Sequence, residues 1–158
     1  MSYYTGVGSR ATPPSVLQLM TRIALRLAFD GHTLRSGGAV GADQAFEQGA
    51  TLKEIFFAND ATPAAMNIAA ALHPAWNRCS MFAKRLHGRN AFQVLGATLN
   101  NPSDFLICWT ADGCIHHNTR TINTGGTGTA ISIASTNGIP VHNLSLPAHI
   151  NSWFEWLK

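Results

Sequence analysis

Three glycine-rich turns, each lying between a short apolar run and a helix-like segment, constrain this chain more than any other feature of its sequence. They are residues 6–10 (GVGSR), 36–43 (SGGAVGAD) and 125–129 (GGTGT). Glycine lets the backbone approach a ligand closely, and the first turn of a helix offers unpaired N–H groups with a partial positive charge. Three such turns in one small domain predict a pocket that holds phosphate.

Strand-like and helix-like segments alternate along the chain. Residues 14–29 carry apolar side chains at helical spacing, and residues 105–109 are apolar without interruption, as expected of a parallel strand that is buried on both faces. The predicted strands are residues 4–7, 33–35, 54–58, 104–109 and 141–144, and the predicted helices are residues 14–29, 43–51, 64–72, 81–99, 127–136 and 147–157.

This alternation predicts an α/β fold: a single Rossmann-like domain over residues 1–158, with a doubly wound parallel sheet of about five strands and helices on both faces. In such sheets ligands bind beyond the carboxyl ends of the strands, where the strand order reverses. The glycine turns are expected at this same edge. Residues 110–124 are polar and show no period, so they are either a lid over the pocket or a plain mobile loop.

The charge and the cysteines narrow the range of functions. The formal net charge is only +3, and the one cluster of basic residues is Lys84, Arg85 and Arg89, so no long basic stripe indicates nucleic acid. Three cysteines are an odd number without a paired framework, which favours the reducing cytoplasm. No apolar run is long enough for a membrane span, and no membrane partner is expected.

A metal site near Cys114 is not favoured. His116 and His117 are adjacent in sequence and lack the usual ligand spacing, and no fourth ligand is nearby. We therefore predict no metal and no redox cofactor.

The motifs together resemble the SLOG superfamily, which groups the Rossmann domain of the DNA-processing protein DprA with the Lonely Guy (LOG) phosphoribohydrolases. The resemblance covers almost the whole chain and rests on the three glycine turns and on Arg89 and Asn90, taken in their order and spacing. With its short length of 158 residues, the chain is most similar to DprA-like proteins carried by bacteriophages. The resemblance implies a Rossmann fold, a nucleotide-type ligand and a role for Arg89 beside that ligand.

The chain departs from the LOG enzymes at the position of the catalytic acid. Those enzymes carry acidic residues two to three positions after the threonine of the third turn, where this chain has Ile131 and Ser132. Cleavage of an N-glycosidic bond passes through an oxocarbenium-like state that a fixed carboxylate stabilises. We therefore predict binding without catalysis, and no catalytic residue is assigned.

The residues predicted to bind the ligand are Gly8, Ser9, Arg10, Ser36, Gly37, Gly38, Asp43, Arg89, Asn90, Trp109, Gly125, Gly126, Thr127, Gly128 and Thr129. Several of them also have a structural alternative. Gly37 and Gly38 can simply form the compact turn between a parallel strand and its helix, and Arg89 can be a solvated residue of its helix. Asp43 either caps the second helix or accepts a hydrogen bond from a ribose hydroxyl. Trp109 either packs in the core or stacks on a base.

The sequence thus predicts a cytoplasmic protein that binds a nucleotide or nucleotide-derived ligand, such as a signalling nucleotide, through its phosphates. One alternative is a DprA-like protein that binds single-stranded DNA along Lys84, Arg85 and Arg89. A second is a LOG-like nucleoside-monophosphate phosphoribohydrolase with a displaced acid, Asp43, Glu47 or Asp112. The aromatic residues of the last helix are interpreted as packing or as a subunit interface, and a homo-oligomer is expected; they are Trp153, Phe154 and Trp156.

Overall fold

The computed structural model describes residues 2–158 and contains five β-strands and six α-helices. The strands are β1 (Ser2–Gly6), β2 (His32–Ser36), β3 (Lys53–Ile55), β4 (Phe105–Cys108) and β5 (Val141–Asn143), and the helices are α1 (Pro14–Phe29), α2 (Ala42–Gly49), α3 (Pro63–Leu72), α4 (Met81–Leu95), α5 (Thr127–Thr136) and α6 (Pro147–Trp156). All strands are parallel, in the order β3-β2-β1-β4-β5. The predicted doubly wound α/β sheet is confirmed.

Each face of the sheet carries three helices and its own apolar core. Helices α1, α2 and α6 pack with Tyr4, Leu34 and Ile107 on one face, and α3, α4 and α5 pack with Leu106 and Cys108 on the other. Neighbouring residues of β4 therefore contribute to opposite cores. This explains why the strand is apolar throughout instead of alternating.

The strand order reverses between β1 and β4, which are neighbours in the sheet but far apart in sequence. After β1 the chain runs to α1 on one face, and after β4 it runs to α5 on the other. Because the two connections leave in opposite directions, a crevice opens beyond the carboxyl ends of these strands.

Two elements end three to four residues earlier than predicted. The third strand spans Lys53–Ile55 because the backbone N–H of Phe57 donates to the carboxylate of Asp60, and a 3₁₀ turn follows. The fourth helix ends at Leu95 because Gly96 has a φ of +80°. This left-handed conformation stops the helix and is open to glycine without strain.

Two of the three aromatic residues of α6 pack in the core, in agreement with the packing interpretation. Trp153 and Trp156 pack against the core that α1 and α2 share, and Trp156 also lies under the guanidinium of Arg26 at 4.9 Å. Phe154 is exposed. None of the helices in residues 2–158 combines the length and the apolar character that crossing a bilayer requires.

Gly49 allows α1 and α2 to approach each other closely, and we expect Gly49→Ala to destabilise the fold. A Cβ at Gly49 would collide with the carbonyl oxygen of Thr21 and lie 2.8 Å from the Cβ of Ala24. Overpacking of this kind costs about 1–3 kcal/mol. That cost exceeds the ~1 kcal/mol that alanine contributes through helix propensity. Urea unfolding monitored by circular dichroism measures the change.

Gln48→Ala is the matched control, because Gln48 is the exposed neighbour of Gly49 on the same helix. We expect its free energy of unfolding to stay within about 0.5 kcal/mol of the wild type. Equal stability of the Gly49→Ala and Gln48→Ala variants would show that the two helices tolerate a wider separation.

Candidate functional site

A cavity of about 410 Å³ lies at the crevice between β1 and β4. All three glycine turns contribute to its wall, and α4 forms the opposite side. The predicted binding residues that line it are Gly8, Ser9, Arg10, Asp43, Arg89, Asn90, Gly125, Gly126 and Thr127. Segments separated by more than a hundred residues in sequence thus meet at one site.

The first turn is attached to the end of β4. Val7 donates its N–H to the carbonyl of Ile107 at 3.1 Å, and Ser9 donates to the carbonyl of Trp109 at 3.1 Å. Gly8 is required by the close approach of α2, since an added Cβ would lie 2.7 Å from the Cβ of Ala42. Arg10 is exposed and makes no ion pair with an acid in residues 2–158, so its guanidinium is available to an anion.

The second turn is held by the carboxylate of Asp43. One carboxylate oxygen accepts hydrogen bonds from the N–H groups of Gly37 at 3.2 Å and Ala39 at 3.3 Å. The N-cap residue of α2 is Gly41, and no side chain caps the helix. The expectation that Asp43 caps its own helix is therefore wrong, because its carboxylate points back to the loop and fixes the shape of the turn.

Asp43 and Arg89 form the charged floor of the cavity. Nη1 of Arg89 donates to the carbonyl of Gly37 at 2.8 Å, so α4 and α2 both hold the same turn. Burial raises the pKa of Asp43 to about 6, although the N–H groups of Ala39 and Gly37 and the charge of Arg89 act to lower it. Burial lowers the pKa of Arg89; Asp43 opposes this shift, and the charge of Arg10 adds to it.

The third turn presents open backbone to the cavity. Gly126 is the N-cap of α5, and Gly125 has a φ of +67°. A Cβ at either glycine would meet no atom within 4 Å, so free space lies in front of both. The N–H groups of Gly126 and Thr127 donate to no group in residues 2–158. This is the arrangement in which a helix start binds an anion.

Gly128 and Thr129 face away from the cavity. A Cβ at Gly128 would collide with the guanidinium of Arg120. The hydroxyl oxygen of Thr129 is 2.8 Å from Nδ1 of His87 and accepts a hydrogen bond from Nη2 of Arg120 at 3.2 Å. These two residues therefore support the third turn from behind.

The other predicted residues outside the cavity wall also have structural roles. The hydroxyl of Ser36 donates to the carbonyl of Gly6 at 2.5 Å and ties β2 to β1. Gly37 holds the second turn through the contacts described above, and Gly38 has a φ of +71° beside Phe57. Trp109 packs against the core of α1, α2 and α6, in agreement with the packing alternative.

Residues 110–124 form an ordered wall of the cavity, with two 3₁₀ turns. Asp112 organises the segment by accepting hydrogen bonds from the hydroxyls of Thr110, Thr121 and Thr124 and from the N–H of Cys114. Burial acts to raise the pKa of Asp112, but these hydrogen bonds outweigh it and lower the pKa. Asn123 and Thr124, at the end of the segment, line the cavity.

Sequence reasoning missed two polar residues of the cavity wall, His87 and Gln93, which lie on the face of α4 that also carries Asn90. Burial, with the charges of His73, Arg120 and Arg89, lowers the pKa of His87 to about 4. Both amide atoms of Gln93 are buried without a hydrogen-bond partner in residues 2–158. The signal was available, since His87, Asn90 and Gln93 recur at helical spacing within the predicted helix over residues 81–99.

Carboxylates are scarce around the cavity. Ile131 and Ser132 are fully buried, and the hydroxyl of Ser132 contacts Nδ1 of His117 at 2.7 Å. Asp43 is the one acidic residue of the described chain that lines the cavity. Glu47 lies beside the second turn, with Oε1 buried and unpartnered.

Comparisons of the chain with protein-family models, with curated proteins and with solved structures give no match.

We expect Asp43 to make the fold less stable as the pH rises from about 4 to about 7. Its pKa is about 6 in the folded protein against 3.8 in the unfolded chain, so the folded state binds more protons in this interval and the stabilisation is lost as the pH rises. Asp43→Asn keeps an acceptor oxygen but removes the titration. The free energy of unfolding of the wild type should therefore fall relative to the variant by about 1–3 kcal/mol, measured by urea unfolding across this pH range.

Asp30→Asn is the control, since Asp30 is exposed at the end of α1 and pairs only with Arg26 at 3.8 Å. The free energy of unfolding of this variant should follow that of the wild type across the pH range within about 0.5 kcal/mol. Parallel profiles for the wild type and Asp43→Asn would mean that the carboxylate is solvated in the folded state.

Proposed function

We propose that this chain binds a nucleotide or nucleotide-derived ligand through its phosphates and does not turn it over. The observation that carries the proposal is the convergence of Arg10, Arg89 and the open start of α5 on one cavity. Guanidinium groups and helix N-termini are both devices for binding phosphate.

The charge balance of the cavity supports an anionic ligand. Arg10 and Arg89 are the two strong bases of its wall, and Asp43 is the one acid. The Asp43 carboxylate is already occupied by backbone N–H groups and lies beside Arg89, so it leaves Arg10 uncompensated. A phosphate that accepts from the N–H groups of Gly126 and Thr127 would supply the missing negative charge.

The rest of the wall suits a nucleoside. Val7, Leu86 and Ala130 provide an apolar surface, and the volume lies in the range of about 300–1,000 Å³ that is usual for small-molecule sites. Asn90 is 8% exposed, lines the cavity and makes no side-chain hydrogen bond within residues 2–158. Its amide offers a donor and an acceptor side by side, as the edge of a base requires.

A specific observation favours a second candidate, a phosphoribohydrolase. Asp43 lies in the cavity, and its pKa of about 6 is suited to proton transfer near neutral pH. We rank this candidate lower because the hydrogen bonds of Asp43 to Gly37 and Ala39 give the carboxylate a structural role. Ile131 and Ser132 stand where the LOG enzymes carry their acids. The carboxylate of Asp112, which contacts Thr124 beside the third turn, is already occupied by three threonine hydroxyls and does not line the cavity.

The single-stranded DNA alternative receives less support. Arg89 is directed into the cavity toward Gly37, and Nζ of Lys84 lies 5.7 Å from the ring centre of Trp76. Only Arg85 of this cluster is exposed. The three cations therefore do not form one continuous track for a phosphodiester backbone.

All three cysteines are unpaired, and this supports the expected cytoplasmic location. We also propose a homo-oligomer. Two exposed apolar side chains, each next in sequence to a residue that lines the cavity, support this proposal because a second subunit would bury them. They are Ile122 with 94% exposure and Phe82 with 64%.

We expect nucleoside phosphates to bind and the corresponding nucleosides not to bind, because the phosphate supplies most of the affinity. Arg10→Ala and Arg89→Ala should each weaken binding by about 1–3 kcal/mol, the usual loss for a charge-assisted hydrogen bond. Isothermal titration calorimetry with a panel of nucleoside mono-, di- and triphosphates measures both effects.

Arg85→Ala is the matched control, since Arg85 lies one helical turn before Arg89 and does not line the cavity. Its nucleotide affinity should equal that of the wild type. Equal affinity for a nucleotide and its nucleoside would overturn the proposal. Tight binding of oligothymidylate at physiological salt, weakened in Arg85→Ala, would favour the DNA alternative instead.

We further expect that incubation with nucleoside monophosphates releases little or no free base over hours. The reason is that Ile131 and Ser132 stand where the LOG enzymes carry the carboxylate that stabilises an oxocarbenium-like state. Chromatography for the base and for ribose 5-phosphate is the assay. Robust release by the wild type that is lost in Asp43→Asn would establish the hydrolase.

A further inference from the structure

A second cluster of chemically active side chains lies beside α4 and shares His87 with the wall of the cavity. His73 follows α3, Cys79 follows a 3₁₀ turn at Trp76–Arg78, and His87 lies in α4. One ligand atom from each of the three lies within 4.8 Å of the others. Nε2 of His73 is 3.9 Å from the sulfur of Cys79, and the rings of His73 and His87 are 4.3 Å apart.

From this geometry we infer that His73, Cys79 and His87 form a binding site for a divalent ion of the zinc type. Imidazole nitrogen and thiolate sulfur are the ligands that zinc prefers, and three protein ligands leave a fourth tetrahedral position for water. Ligand atoms of a tetrahedral zinc site are about 3.3–3.7 Å apart, given bond lengths of about 2.0–2.3 Å. The distances between the three ligand atoms therefore need to shorten by about 1 Å for the cluster to coordinate the ion.

The surroundings of His87 suit coordination through Nε2. Its Nδ1 is 2.8 Å from the hydroxyl oxygen of Thr129, which can accept a hydrogen bond from a protonated Nδ1. Histidine ligands commonly donate their second ring N–H in this way, and the contact fixes the tautomer and the ring orientation. Because Thr129 is fully buried at the start of α5, the orientation of His87 is set by the core of the fold.

The proton balance on the other two ligands follows from their present contacts. The Cys79 thiol lies 3.6 Å from the carbonyl of Ala75, and coordination requires that its proton be released to solvent. The N–H of Ala75 donates to Nδ1 of His73 at 3.0 Å. Coordination through Nε2 requires a proton on Nδ1, so this bond must break when metal binds.

Titration of the metal-free protein with Co²⁺ tests the site, because a thiolate ligand gives a thiolate-to-cobalt charge-transfer band that imidazole and water ligands do not. We expect the band in the wild type and its loss in Cys79→Ser. Competition with Zn²⁺ gives the affinity of the protein for zinc. We expect His73→Gln and His87→Gln each to weaken this affinity by about 100-fold or more, because losing a group that only hydrogen-bonds to a metal ligand already costs about 10–100-fold.

Cys114→Ser and His116→Gln are the matched controls. Cys114 donates to the carbonyl of His116 within residues 110–124, and neither residue belongs to the cluster. Both variants should therefore give the same Co²⁺ titration as the wild type. The amide resonance of Ala75 provides an independent measurement, since it should shift when Zn²⁺ binds and its hydrogen bond breaks. A charge-transfer band that persists in Cys79→Ser, or an Ala75 resonance unmoved at saturating Zn²⁺, would overturn the assignment.

Discussion

The candidate site depends on one buried carboxylate. Asp43 accepts hydrogen bonds from two N–H groups of the second turn, and Arg89 donates to a carbonyl of the same turn. These contacts connect α2, the turn and α4, which approach from opposite faces of the sheet. Without the carboxylate, the N–H groups of Gly37 and Ala39 would lose their partner in a largely buried place, which is costly. The crevice between β1 and β4 thus obtains a fixed floor.

Arg89 has two roles that are physically coupled. It holds the second turn through Gly37, and its charge lies close enough to Arg10 and Asp43 for each to affect its pKa. A partly buried guanidinium with a second guanidinium nearby is unfavourable without a compensating negative charge. Asp43 provides part of that charge, and a bound anion would provide the rest. The cavity is therefore arranged for an anion by the same contacts that maintain its shape.

Helix α4 takes part in two regions of different chemistry. It presents Arg89, Asn90 and Gln93 to the cavity, and His87, which also lines the cavity, meets His73 and Cys79. Asn123 and Thr124, at the end of residues 110–124, line the cavity, and the hydrogen bonds of Asp112 hold this segment together. This segment has no periodic pattern because its order comes from side-chain hydrogen bonds to a single carboxylate and not from a regular backbone ladder.

The sequence by itself determined the fold class, the alternation of elements and the edge of the sheet where the glycine turns meet. These follow from local patterns: apolar runs for strands buried on both faces, helical spacing, and glycine at the turns. Only the tertiary structure decided which turn residues face the cavity. Gly126 and Thr127 face it, whereas Gly128 and Thr129 face Arg120, because one helical turn directs neighbouring residues to opposite sides. The partners of Asp43 and the meeting of His73, Cys79 and His87 likewise depend on how helices pack, which no local pattern records.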